Sequence, residues 1–196
     1  MKLLLTSTGL SNENVRKFFI SQFDKLDNKT ACIVTSGQNE EEQFYIDGSI
    51  RELKSLDVEV VEFNIAKGDK FADFPFFDIY YICGGNTFYI LDRMRKTGVD
   101  KILIDAVKNG KFYLGVSAGS IIAGPDIEVA GLGDPNDVNI EDLMGLKLVQ
   151  YIVTPHYNQK EKSMVEKFKE KRKSEQVIAL NDDQAIFVED GKMILI

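Results

Sequence analysis

A five-residue run, Gly115-Val116-Ser117-Ala118-Gly119, sets a serine between two glycines directly after an apolar stretch. Small residues on either side of a serine let the chain turn sharply out of a strand and into a helix. The hydroxyl then projects at the strand's carboxyl end, as in a nucleophile elbow. A serine hydroxyl attacks poorly until a base takes its proton. One histidine exists in the chain, His156, within Thr154-Pro155-His156-Tyr157. An imidazole suits the task because its ordinary pKa is about 6.5. A lone histidine is more often a plain surface or core residue, and it is the elbow that makes this one a candidate base. A second glycine pair, Gly84-Gly85, precedes Asn86-Thr87. Glycines permit close backbone approach, so N–H groups there can hold an oxyanion; the same four residues also read as a tight turn with an Asn cap. An acid must orient the histidine. Asp182 and Asp183 follow an apolar run at 177–180, with Asp134, Asp137 and Glu189 as rivals.

The elements that position these residues alternate between two periods. Lys2–Thr6, Thr30–Thr35, Val58–Phe63, Asp78–Cys83 and Phe112–Val116 are short, continuously apolar runs, which suits strands buried on both faces. Between them lie helical patterns: Val15, Phe18, Phe19, Phe23 and Leu26; a Glu-rich stretch from Glu40 to Ser55; Phe88 to Met94, capped by Asn86 and stopped by Gly98; and Asp100–Asn109. Strands alternating with helices of this length indicate βαβ units, hence an α/β fold with a mostly parallel sheet. A helix starts at about Ala118, and Gly131–Glu141 is a polar loop with room to move. Tyr151–Thr154 is a further strand, and Asn158–Lys173 a charged helix with Met164, Val165 and Phe168 facing inward. Val177–Leu180, Ala185–Val188 and Met193–Ile196 follow, and Asp190-Gly191 between the last two signals a C-terminal β-hairpin. No repeat or linker interrupts residues 1–196, which read as a single domain.

Composition narrows the function. With 24 bases and 31 acids the formal charge is −7, which argues against nucleic acid or an anionic membrane as partner. The apolar N-terminal stretch gives way at Thr6, too short for a secretory leader. Two cysteines, Cys32 and Cys83, make no disulfide framework and fit a reducing, cytoplasmic setting. One histidine and two distant cysteines do not form a usual zinc set, so no metal or cofactor is expected. G-x-G-x-x-G and Walker A sequences are absent.

Three stretches, Ile82–Leu91 (ICGGNTFYIL), Tyr113–Ala123 (YLGVSAGSIIA) and Val153–Tyr157 (VTPHY), resemble the aspartyl dipeptidase (peptidase E) family of serine peptidases, which also includes cyanophycinase. The resemblance runs through nearly the whole chain. It implies a class I glutamine amidotransferase-like (flavodoxin-like) fold, three layers α/β/α. It also implies Ser117 as nucleophile, His156 as base, the backbone N–H groups of Gly85 and Ala118 as oxyanion hole, and Gly84, Asn86 and Thr87 against the substrate. The family's third-member glutamate lies in a Leu-Pro-Glu-Gly segment. Here the segment reads Leu180-Asn181-Asp182-Asp183, so Asp182 takes the place with a shorter side chain. Peptidase E proper binds an acidic substrate side chain with an arginine after its histidine. Tyr157–Ser163 has none, and Lys160 or Lys162 stand nearest. An ammonium lacks the planar fork of a guanidinium, so the preference for N-terminal aspartate loosens.

The implied function is a serine peptidase hydrolysing small peptides through an acyl-enzyme: a dipeptidase, with N-terminal Asp as the family's preference. The alternatives are a cyanophycinase-like enzyme, another small acyl amidase or esterase, or a non-catalytic binding module on the same fold. The expected partner is a small peptide, bound by a monomer or homodimer.

Overall fold

Residues 1–37, 39–67 and 77–196 are described by the structure, a computed structural model. Strands β1 (Lys2–Thr6), β2 (Thr30–Thr35), β3 (Glu59–Asn64), β4 (Ile79–Ile82) and β5 (Phe112–Val116) alternate with helices α1 (Glu13–Ser21), α2 (Glu40–Lys54), α3 (Thr87–Thr97) and α4 (Val99–Lys108). A short helix α5 (Ala118–Ile122) and a 3-10 turn at Glu128–Leu132 follow. Then come β6 (Ile152–Thr154), α6 (Lys162–Lys171), β7 (Val177–Ala179), β8 (Ala185–Glu189) and β9 (Lys192–Leu195).

Seven strands form one sheet in the order β3-β2-β4-β5-β1-β8-β9. The first five run parallel, while β8 lies antiparallel on β1 and β9 antiparallel on β8. The expected hairpin forms at Asp190-Gly191, where both residues take positive φ (48° and 80°), as a tight two-residue loop between strands requires. β1 explains why the apolar runs are continuous. Leu3 and Leu5 join one core, with Phe88, Leu91, Leu103 and Ile121. Leu4 joins the other, with Val15, Phe19, Ile46 and Leu53. Both faces are therefore covered, giving three layers.

Several boundaries differ from the sequence reading. α1 ends at Ser21, so Phe23 and Leu26 lie beyond it; Phe23 instead packs its ring 5.2 Å from Phe112. α6 starts at Lys162, because Asn158 turns back to accept the Lys160 N–H and holds 158–161 as a turn. Met164 is 44% exposed, while Val165 and Phe168 are buried. The strand before His156 does not join the main sheet. β6 pairs in parallel with β7 in a separate two-stranded sheet. Among the described residues no helix is long and apolar enough to cross a membrane.

Candidate active site

The elbow serine sits on a backbone forced out of the usual regions. Ser117 has φ 49° and ψ −110°, a conformation that costs a non-glycine residue about 1–3 kcal/mol and persists only where the surroundings impose it. The glycines show what imposes it. A Cβ on Gly119 would lie 2.3 Å from the Ile82 carbonyl oxygen, and one on Gly115 would lie 2.7 Å from that of Gly119. α5 thus folds directly back over β5 and against β4, which only bare backbone permits. Tyr113 Oη donates to the Gly119 carbonyl at 2.7 Å, and Ser117 N–H donates to Thr6 O at 3.0 Å. Ser120 is fully buried. Its hydroxyl accepts from Thr6 N–H and lies 2.8 Å from the Thr6 and Gly115 carbonyls, so it serves as a clamp between β1 and the elbow.

His156 and Asp182 come from the small sheet. His156 follows β6 and Asp182 follows β7, at the same ends of two paired strands. Ser117 Oγ lies 3.0 Å from His156 Nε2, and His156 Nδ1 lies 2.7 Å from Asp182 Oδ1. An ionised carboxylate only accepts, so Nδ1 carries the hydrogen and donates to Asp182, which leaves Nε2 free to accept from the serine. His156 also takes a positive φ of 58°. Ser7 Oγ holds that bend: it accepts the His156 N–H at 3.1 Å and lies 3.0 Å from the Asn181 carbonyl and 3.2 Å from that of Leu180. Thr8 Oγ1 donates to the Asp182 carbonyl at 2.9 Å. Ser7 and Thr8 escaped the sequence reading. Their signal is position: polar residues immediately after a buried strand, at the sheet end where the elbow opens.

Three of the four rival acids are engaged elsewhere. Asp183 accepts from Asn12, Glu189 pairs with Lys2, and Asp134 accepts the Thr87 N–H at 2.8 Å. With Asn86, which donates to the Pro135 carbonyl, Asp134 ties the polar loop down to the start of α3 rather than leaving it loose. Asn86 also caps α3, accepting from Tyr89 N–H.

The second glycine pair approaches the elbow serine. A Cβ on Gly84 would lie 3.2 Å from Ser117 Cβ. Gly85 has φ 131°, and a Cβ there would lie 2.8 Å from Ser36 Oγ. Beside the serine opens a cavity of about 150 Å³ whose lining includes Thr87, Ser117, Ile121, Asp134, His156 and Glu161. Lys160, by contrast, is exposed and does not line it. Both cysteines are buried, and burial pushes the Cys32 thiol up to about 12 and raises the Cys83 thiol as well, which disfavours the thiolate form. Among the described residues no cluster of His, Cys, Asp or Glu is arranged to hold a metal ion.

Comparison with known proteins extends over the full chain. The sequence model of peptidase family S51 matches residues 3–196. The uncharacterized peptidase Lmo0363 of Listeria monocytogenes is 32% identical over 98% of this chain and 96% of its own length. Peptidase E of Escherichia coli is 36% identical over a shorter stretch, 41% of this chain and 34% of its own. A crystal structure of a protein from Listeria monocytogenes EGD-e superposes with a TM-score of 0.85 at 29% identity, covering 100% of this chain and 97% of that one.

Proposed function

The chain belongs to peptidase family S51 and is a serine-type peptidase; on that premise we propose that it hydrolyses small peptides through a Ser117–His156–Asp182 triad. The observation that carries this reading is the unbroken relay from hydroxyl to imidazole to carboxylate, at 3.0 Å and 2.7 Å. Ser117 Oγ attacks the peptide carbonyl carbon while its proton passes to His156 Nε2. Asp182 stabilises the imidazolium and keeps the proton on Nδ1. The carbonyl oxygen becomes an oxyanion facing the N–H groups of Gly85 and Ala118. Neither group donates to another protein atom among the described residues. Each such donor is worth roughly 3 kcal/mol in other hydrolases. Collapse of the intermediate breaks the C–N bond, and His156 gives its proton to the departing amine. Water then attacks the Ser117 ester, losing its proton to His156, and the serine leaves with that proton. Ser117 enters this cycle with its backbone already strained, so the hydroxyl is held in place before substrate arrives.

A fluorophosphonate probe tests the reading. Mass spectrometry should find the label on Ser117 alone, absent from Ser117→Ala and strongly slowed in His156→Ala. Hydrolysis of dipeptides should fall by about ten-thousandfold or more in either variant, with unchanged thermal unfolding. An unlabelled Ser117, or full turnover by either variant, would end the proposal.

A further inference from the structure

We propose that the residue whose carbonyl Ser117 attacks carries an aliphatic side chain and a free α-ammonium group, so that peptides beginning with valine or leucine are better substrates than those beginning with aspartate. The inference rests on the catalytic reading above and concerns the cavity beside the serine. Its wall is apolar: Ile121, Val129, Leu132, Met164 and Val165 face it. At about 150 Å³ it matches the size of apolar cavity that accepts a benzene-sized guest, roughly the bulk of a branched aliphatic side chain. Each methylene buried there is worth roughly fourfold in affinity.

The acidic groups of the cavity, Asp134 and Glu161, have no lysine or arginine opposite them among the described residues. Thr87 is among the lining residues; it is 1% exposed, and its hydroxyl is buried without a hydrogen-bond partner. A buried polar atom left unpaired is costly, and a donor brought by a ligand is one way to satisfy it. Asp134 spends Oδ2 on the Thr87 N–H, and its other oxygen forms no hydrogen bond among the described residues. An ammonium brings three donors and the opposite charge, which is what a hydroxyl and two carboxylates can use. An aspartate side chain brings a third carboxylate to the same walls. Among the described residues no lysine or arginine lines the cavity to meet it, and Lys160 is exposed and outside the lining.

The test is a panel of free dipeptides, Ala-Leu, Val-Leu, Leu-Leu and Asp-Leu, with N-acetyl-Leu-Leu-amide and free Leu-Leu-amide as a matched pair. Wild-type protein, Glu161→Gln and Glu161→Lys are compared, and each preparation is titrated with the fluorophosphonate. We expect kcat/KM to rise from Ala-Leu to Leu-Leu and to exceed that for Asp-Leu by about tenfold or more. Acetylation should cost at least about tenfold. Glu161→Gln should raise KM for Leu-Leu about threefold or more with kcat little changed, and Glu161→Lys should narrow the gap between Asp-Leu and Leu-Leu. Preferred cleavage of Asp-Leu, or equal cleavage of the acetylated amide, would overturn this inference while labelled Ser117 leaves the catalytic reading standing. These two comparisons need no variant. No cleavage of any peptide together with an unlabelled Ser117 would overturn both.

Discussion

The two sheets hold the residues of the proposed triad in different ways. The seven-stranded sheet builds the elbow serine into its core. Gly115, Gly119, Tyr113 and Ser120 pack the elbow against β4 and β1 with backbone in direct contact, and Tyr113, Ser120 and Leu114 are all fully buried. The two-stranded sheet is three residues long on each side, and the side chains it delivers are open to solvent, His156 at 46% and Asp182 at 63%. The second unit is fixed to the first by apolar packing of β6 beneath α5, by ion pairs of Lys171 and Arg172 with Asp126 and Glu128, and by Asn12 on Asp183. Next to His156 and Asp182 themselves it is fixed by two hydroxyls at the end of β1, Ser7 and Thr8. Nucleophile geometry therefore belongs to the global fold, whereas the alignment of base and acid depends on a local docking.

Four substitutions bear on that contrast, three in falling order of effect and Asp134→Asn as the counterpart of the first. Asp182→Asn keeps the small sheet but spoils the imidazole tautomer, and kcat/KM should fall about a thousandfold or more with the melting temperature unchanged. Asp134→Asn should cost far less; if it costs more, the orienting acid comes from the loop beside the main sheet and the division between units fails. Ser7→Ala leaves the His156 N–H without its buried acceptor, a loss of about 1–3 kcal/mol. It should lower kcat by roughly ten- to a hundredfold, since small misplacement of a catalytic group is expensive. Amide exchange should quicken at 152–154 and 177–179 but not at 112–116; equal quickening in both sheets would mean they open as one unit. Tyr113→Phe removes a buried donor from the elbow's own support. Global stability should drop by about 1–2 kcal/mol in denaturant titration, while kcat stays within about twofold.

The same contrast explains how much was legible in the sequence. β1, β2 and β5 appear with the expected ends because a strand buried on both faces is apolar throughout and its flanks are not. The elbow was legible because its two glycines flank the serine in one five-residue run, although only Gly115 is demanded by a contact within that run, and Gly119 by the distant Ile82 carbonyl. Membership of β6 in a separate sheet was not, since IVT and VIA look alike whichever sheet takes them, and their partnership spans 25 residues, from Ile152 to Val177. Asp182 came from matching a segment; no local pattern distinguishes it from Asp183, which faces Asn12 instead. Glu161 and Ser7 could be recognised only once distant strands had been brought together. Lys160 drew attention by its charge, but neighbours in sequence on a turn point in different directions, and Glu161 is the one that borders the cavity.

β1 receives β5 on one side and β8 on the other. Residues 1–116 contain the whole parallel half of the sheet, while β8 begins only at Ala185. Domains fold as the ribosome releases them, N-terminal parts first. A nascent chain can thus assemble its serine elbow while still lacking imidazole and carboxylate, with one flank of β1 open for the closing strand. The order of synthesis separates the elbow from the imidazole and carboxylate proposed to activate it, both of which lie beyond residue 150.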